Sequence, residues 1–176
     1  MQIRTATRSD RDDVRRVHWN AFPADERDIV SELAVNLLTD ETAPPTIALV
    51  AETGEGIAGH IAFSPVKIGG NHDLPGYILA PLGVDPDCQG HRIGSGLVEA
   101  GIRKISEMGV AVLFVYGDPE YYGSFGFGTD AAARFIPPYP LQYPFGWQAL
   151  ALDDRAQGSQ PVEIECVPSL SNPTLW

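Results

Sequence analysis

The chain has 176 residues, a length suited to one domain with its own hydrophobic core. With 44% hydrophobic and 20% charged residues it reads as a soluble globular protein, and no apolar run approaches the roughly 18 residues of a membrane helix. A formal net charge of −11 argues against nucleic acid, whose affinity rests on Lys and Arg neutralising phosphates, and mildly favours cationic partners such as amines.

The first residues lack the apolar stretch of a secretory signal, so a cytoplasmic location is the expectation. Two cysteines, Cys88 and Cys166, do not make a disulfide framework. His18, His60, His72 and His91 are scattered. Cys88 and His91 stand three apart with no second ligand pair, so no metal is expected.

Residues 2–6 alternate and predict a short strand. Ser9 looks like a helix N-cap with Asp12 in the capping-box position, and Val14, Val17 and Ala21 form an apolar stripe that Pro23 ends. Ile29, Leu33 and Leu37 then share a face, so 10–38 reads as a helical hairpin. Three β-rich runs follow at 46–51, 57–66 and 77–84, joined by turns at 53–56 and 69–71. They predict an antiparallel meander, with an edge or bulge where Pro81 cannot donate a hydrogen bond. Leu97, Val98, Ile102 and Ile105 space a helix to about Met108, with Gly109 as its C-cap residue. The apolar run 110–115 suits a strand buried on both faces, and a strand–helix–strand order implies a parallel pair there. The segment 136–145 holds four prolines and cannot be a regular helix. Residues 147–152 and 162–166 read as final strands. The fold class is therefore α+β, with a mixed, mostly antiparallel central sheet flanked by helices in one domain, 1–176, whose last part is 127–176.

The strand, the stretch Gln89-Gly90-His91-Arg92-Ile93-Gly94-Ser95 and the helix come in that order. Glycines let backbone N–H groups converge, and a helix N-terminus adds partial positive charge. Together these make an anion site fit for a pyrophosphate, and His91 and Arg92 could add charge. The same glycines also suit a plain strand-to-helix turn. No Lys follows Gly94 or Gly96 as a P-loop requires, and the spacing Gly90, Gly94, Gly96 does not fit a dinucleotide fingerprint. Asp118 sits past the next strand, where a ribose-binding acid would lie, but the preceding strands form a meander rather than a βαβ array.

The residues 81–102 (PLGVDPDCQGHRIGSGLVEAGI) and 115–127 (VYGDPEYYGSFGF) resemble the GCN5-related N-acetyltransferases (GNAT), and within them the YhbS-type group. The family's cofactor motif is Gln or Arg, two residues, Gly, one residue, then Gly or Ala. Gln89 and Gly94 match its ends, while Arg92 stands where the family has the inner glycine. The resemblance implies the GNAT fold and acetyl-CoA or coenzyme A as cosubstrate. It places Leu82, Gly83 and Val84 along the acetyl and pantetheine arm, and Gln89, Gly90, His91, Arg92, Ile93, Gly94 and Ser95 around the pyrophosphate. A bulge at Pro81 would splay that strand from 110–115. Direct transfer in a ternary complex follows, so Cys88 is not expected to be a nucleophile.

Tyr122, four residues before the Gly126-Phe127 pair, takes the family's general-acid position, and a phenol can protonate the departing thiolate without ionising at rest. Tyr121 is expected to pack. The base is not named by the sequence: Glu26, Asp118, Glu120 and a chain of water are all candidates, and His60, in a strand, reads as a structural histidine. The acceptor, a small-molecule or peptide amine, is expected between 22–32 and the proline-rich 137–145, where Tyr139, Tyr143, Phe145 and Trp147 line an apolar slot or else merely cover a sheet edge. Three functions remain: an acetyltransferase acting on a primary amine, a coenzyme-A-binding module without turnover, and a nucleotide-dependent oxidoreductase. A homodimer is compatible with the sequence, whereas a nucleic-acid or membrane partner is not expected.

Overall fold

Residues 1–70 and 74–176 are described in a computed structural model of the chain. Asn71, the last residue of the expected 69–71 turn, and His72 lie outside the described residues. The chain forms two compact units: Met1–Phe63 with Ala80–Gly101, and Ser64–Leu79 with Ile102–Trp176.

The first unit opens with β1 (Gln2–Thr5), then α1 (Arg11–Ala21), α2 (Arg27–Thr39), β2 (Ile47–Thr53) and the start of β3 (Gly56–Ile68). The end of β4 (Gly76–Val84) and the start of α3 (Ile93–Glu107) complete it. β1 pairs antiparallel with β2 (Ile3 opposite Ala51), and β2 with β3 (Leu49 opposite Ile61). The helical hairpin forms as expected. Val14 and Val17 of α1 and Ala34 of α2 are fully buried and pack with Val50 and Ile57, as their helical and strand spacings dictate. The start of α1 differs from the expectation. A 3₁₀ turn, Arg8–Asp10, precedes it, and the Thr7 N–H donates to Asp10 Oδ2 at 2.7 Å, so the cap lies on Thr7 and Asp10 rather than on Ser9 and Asp12. Tertiary chemistry decides this, because Arg4 grips both Asp10 oxygens at 2.8 and 2.9 Å. That bidentate pair holds the Asp10 carboxyl down at about 2.

α3 lies close on the sheet because two glycines remove side chains between them. A Cβ at Gly59 would meet Ile93 Cγ2 and Leu97 Cδ1 at 2.9 Å, and one at Gly101 would meet Phe63 Cζ at 2.0 Å.

The second unit holds the end of β3, the start of β4, β5 (Val112–Tyr116), the short helices α4 (Pro119–Gly123) and α5 (Thr129–Ala132), β6 (Phe135–Ile136), β7 (Trp147–Ala151) and β8 (Val162–Glu165). β4 and β5 run parallel, as the strand–helix–strand order requires, and β5 pairs antiparallel with β7. β8 adds antiparallel to the end of β3 and parallel to β6. The fold is thus the expected mixed, mostly antiparallel sheet flanked by helices. Residues 110–115 are all buried, which is why that run carries no polar alternation. No element is expected from the sequence at 117–127, yet α4 forms there, started by Asp118, whose Oδ1 accepts the Glu120 N–H at 2.9 Å.

Pro81 does not stand on an edge strand. β4 has neighbours on both sides, and its register with β5 runs from Gly76 opposite Val112 to Leu79 opposite Val115 and stops before Pro81. Proline has no N–H to continue the ladder. A register shift falls between β2 and β3, at Ala51 and Glu52. Among the described residues no helix is long and apolar enough to cross a membrane, and no group of three or more His, Cys, Asp or Glu side chains could hold a metal ion.

Candidate active site

The stretch after β4 is tied down at several points. The Asp85 N–H donates to Ala58 O at 2.8 Å, and Arg16 bridges Asp85 Oδ2 and Ile57 O, each at 2.7 Å. A 3₁₀ turn, Pro86–Cys88, follows. Gln89 Nε2 donates back to Val84 O at 3.2 Å, which holds the motif's first residue at the end of β4. The backbone then passes through two left-handed positions, Gly90 at φ +77° and Arg92 at φ +62°. Arg92 is the one non-glycine residue with positive φ among the described residues. It adopts the conformation that a glycine takes freely, at the place where the resembled motif has glycine. Its side chain points to solvent, 83% exposed, with a long 3.8 Å ion pair to Glu99. His91 folds over its own loop, Nδ1 donating to Gln89 O at 3.0 Å.

α3 starts at Ile93, and its first backbone bond beyond the turn is Gly96 N–H to Arg92 O at 2.9 Å. Among the described residues no acceptor falls to the N–H groups of Ile93, Gly94 and Ser95. A Cβ at Gly90 would meet nothing within 4 Å, so the turn faces open space. Three unclaimed donors with the positive end of a 15-residue helix behind them suit a diphosphate.

Leu82, Gly83 and Val84 form the end of β4, Gly83 buried and its neighbours half-buried. An ideal Cβ on Gly83 would lie 2.7 Å from His18 Nδ1, so an imidazole occupies the space a side chain would need.

Tyr122 sits on α4, half-buried, with its N–H donating to Asp118 O at 3.0 Å. Its ring lies edge-on to Tyr121 at 5.0 Å and to Phe127 at 5.8 Å. A Cβ at Gly117 would come within 2.6 Å of Tyr122 Cε2, so Gly117 is glycine to let the ring lie over the chain leaving β5. Burial, then the nearby Tyr121 and the Asp118 carboxylate, push the phenol above its usual range, so it holds its proton at any ordinary pH.

Comparison with known proteins settles the family. The Acetyltransferase (GNAT) domain family matches residues 2–129. The chain belongs to the GNAT acetyltransferases. The uncharacterized N-acetyltransferase YjhQ of Escherichia coli K12 is 37% identical over 136 residues, covering 76% of this chain and 74% of that protein. A crystal structure of the GNAT N-acetyltransferase YhbS from E. coli in complex with CoA superposes with a TM-score of 0.83 at 28% identity, over 97% of this chain and 92% of that one. A GNAT acetyltransferase from Brucella melitensis in complex with acetyl-CoA gives a TM-score of 0.70 at 28% identity, over 97% of each chain.

Other predicted site residues of this GNAT chain fall as follows. Glu26 and Glu120 are exposed, and Asp118 has one oxygen engaged in capping α4. Trp147 does not line a slot. It is buried, stacks on Phe114 at 5.3 Å and donates from Nε1 to Phe135 O at 2.8 Å, so it belongs to the core. Tyr143 and Phe145 are exposed and touch at 5.8 Å, and Tyr139 leans on Trp176 at 6.3 Å. Cys88 is half-buried and free of any disulfide. Burial pushes the Cys166 thiol up to about 12, which leaves it unreactive. Gly117 and His18 carry no functional signal in the sequence. Their significance lies in what touches them, and no local spacing reveals that.

Proposed function

We propose that the chain moves the acetyl group of acetyl-CoA to a primary amine by direct transfer in a ternary complex, with 1–176 working as one catalytic domain. The observation that carries this reading is the turn at Gly90 and Arg92. Its two left-handed residues present the N–H groups of Ile93, Gly94 and Ser95, unclaimed, at the end of β4, in a chain whose relatives were crystallised with CoA and acetyl-CoA.

In this proposal Gln89, Gly90, His91, Arg92, Ile93, Gly94 and Ser95 hold the pyrophosphate, chiefly through main-chain N–H groups. Leu82, Gly83 and Val84 offer their backbone to the acetyl and pantetheine arm. Acetyl-CoA supplies an activated acyl group with a good leaving thiolate. Tyr122, kept protonated by its surroundings, donates to that thiolate. Asp118 serves the site by starting α4, which carries Tyr122, and keeps a second carboxylate oxygen for the cosubstrate. The acceptor is a small-molecule or peptide amine. Arg92 adopts the backbone that its glycine counterpart would, so its substitution gives no reason to expect a binding module without turnover.

The test combines a thermal shift with a thiol-release assay. Coenzyme A at about 100 times its Kd adds about 2.7 kcal/mol, or roughly 5–10 °C for a chain of this size. Acetyl-CoA with a panel of primary amines should then release free thiol. Stabilisation by NAD with none by coenzyme A would overturn the reading, and binding with no thiol release from any amine would reduce it to a binding module.

A further inference from the structure

His18 on α1 and His60 on β3 lie outside the roles given above, and both are wholly buried. Their rings meet edge-on, with Nε2 of His18 2.8 Å from Nδ1 of His60. One hydrogen bond joins them, so each ring keeps one outer nitrogen. These are Nδ1 of His18 and Nε2 of His60, and neither has a partner. Burial disfavours the charged form of each ring, more than the mutual repulsion felt by His18, so both are neutral at ordinary pH. Asp10 is the charged group that acts on His60, and its carboxylate is already gripped by Arg4. Phe22 stacks on His18 at 5.9 Å.

A neutral imidazole has one N–H and one bare nitrogen. Sharing one proton therefore fixes the outer pair. If His18 donates from Nε2, its Nδ1 is bare and His60 Nε2 carries hydrogen. If His60 donates from Nδ1, the outer roles exchange. In either state a proton can enter at one end and another leave at the other without either ring becoming charged. A relay through this pair needs one water at each outer nitrogen, the usual partner of a buried polar atom that no protein group claims. The His18 end lies against Gly83, where a Cβ would be 2.7 Å from Nδ1.

We infer that the His18–His60 pair relays the proton shed by the acceptor ammonium, taking it in at His18 Nδ1 beside Gly83 and releasing one at His60 Nε2. This rests on the proposed reading that Leu82, Gly83 and Val84 receive the thioester. An N–H bond of the ammonium breaks, and its proton passes through water to His18 Nδ1. The His18 Nε2–H proton moves to His60 Nδ1, and the His60 Nε2–H proton goes to solvent water. The amine is left with the lone pair that attacks. Both rings end as the opposite neutral tautomers. After product leaves, the reverse hop resets them: one proton enters from solvent at His60 Nε2, and one leaves His18 Nδ1 to the water refilling the site. The exposed carboxylates Glu26 and Glu120 are not needed as bases.

Two variants isolate the relay. His18→Gln keeps an amide atom where Nε2 was, and His60→Asn keeps one where Nδ1 was, so each retains the inner contact and loses the outer nitrogen. Each should lower kcat about 100-fold at neutral pH, as loss of general acid–base transfer does. The deficit should close as the pH approaches the acceptor's own pKa, and the coenzyme A thermal shift should stay unchanged. Wild-type rates in both variants, or an equal loss at every pH, would overturn the relay. Should a variant fail to fold, the wild-type proton inventory of kcat/KM decides. A curved inventory, with several protons in flight, supports the relay, and a linear or flat one overturns it. Turnover by the wild-type protein with unaffected variants removes the relay alone, whereas no thiol release from the wild type removes the acetyltransferase reading and the relay with it.

Discussion

Acid should unfold this protein through its two buried histidines. An unfolded histidine titrates near 6.5, whereas burial holds His60 at about 3 and His18 well below its usual value. The sign follows from where the protons sit. Between about 3 and 6.5 the unfolded chain binds protons that the folded chain refuses, so stability is full above 6.5 and falls as the pH drops through that value. Each ring contributes about 1.4 kcal/mol per pH unit. At about pH 4.5 that makes about 3 kcal/mol for His60, a sizeable part of the 5–15 kcal/mol of an ordinary domain, and His18, lowered by the same burial, adds to the loss in the same direction. Asp10 does not confuse the measurement: its carboxyl, held down at about 2 by Arg4, is still ionised at that pH, and its contribution is lost only as the pH falls from 3.8 toward 2. Urea unfolding followed by tryptophan fluorescence at pH 7 and 4.5 gives the loss for the wild-type chain and for His60→Asn. The variant has one titrating ring fewer, so its loss between the two pH values should be smaller by about 3 kcal/mol, whatever its stability at pH 7. Equal losses in the two proteins would refute the reasoning, because they would mean that His60 is not held neutral by the fold.

Three further outcomes are expected. Arg92→Gly relieves a left-handed position and should raise stability by about 1 kcal/mol, or 2–4 °C in Tm, while retaining coenzyme A binding; a fall in affinity would mean that the Arg92 side chain itself holds the cosubstrate. Tyr122→Phe should lower kcat about 100-fold with the coenzyme A thermal shift intact, and an unchanged kcat would exclude the phenol as the acid. Gly117→Ala puts a methyl group 2.6 Å from the Tyr122 ring and should cost about 1–3 kcal/mol with a kcat loss close to that of Tyr122→Phe; full activity would show that the ring's position does not matter.

Much of the fold was legible because local rules suffice for it. Val14 and Val17 on α1, and Leu33 and Leu37 on α2, keep helical spacing within each helix and are buried, and residues 110–115 are apolar without interruption because both faces of β5 are covered. The boundaries moved where a distant partner intervened. Arg4 reaches Asp10 and draws the cap to Thr7, and Trp147, which reads as a pocket lining, is taken into the core by Phe114 and the Phe135 carbonyl. α4 escaped notice because five residues hold too few periods to show a pattern, although the Asp118-Pro119 pair is a helix start in its own right.

The order of residues by itself pointed to the glycine-bearing turn after β4 and to the family, since each is a short-range pattern that needs no knowledge of what lies opposite. Only the tertiary structure decided that Arg92 takes a left-handed backbone and that His18 and His60, 42 residues apart, share one hydrogen bond beneath Gly83. The physical reason is that burial and side-chain contact belong to pairs of residues, and a pair with a whole helix and a whole strand between its members leaves no periodic trace along the chain.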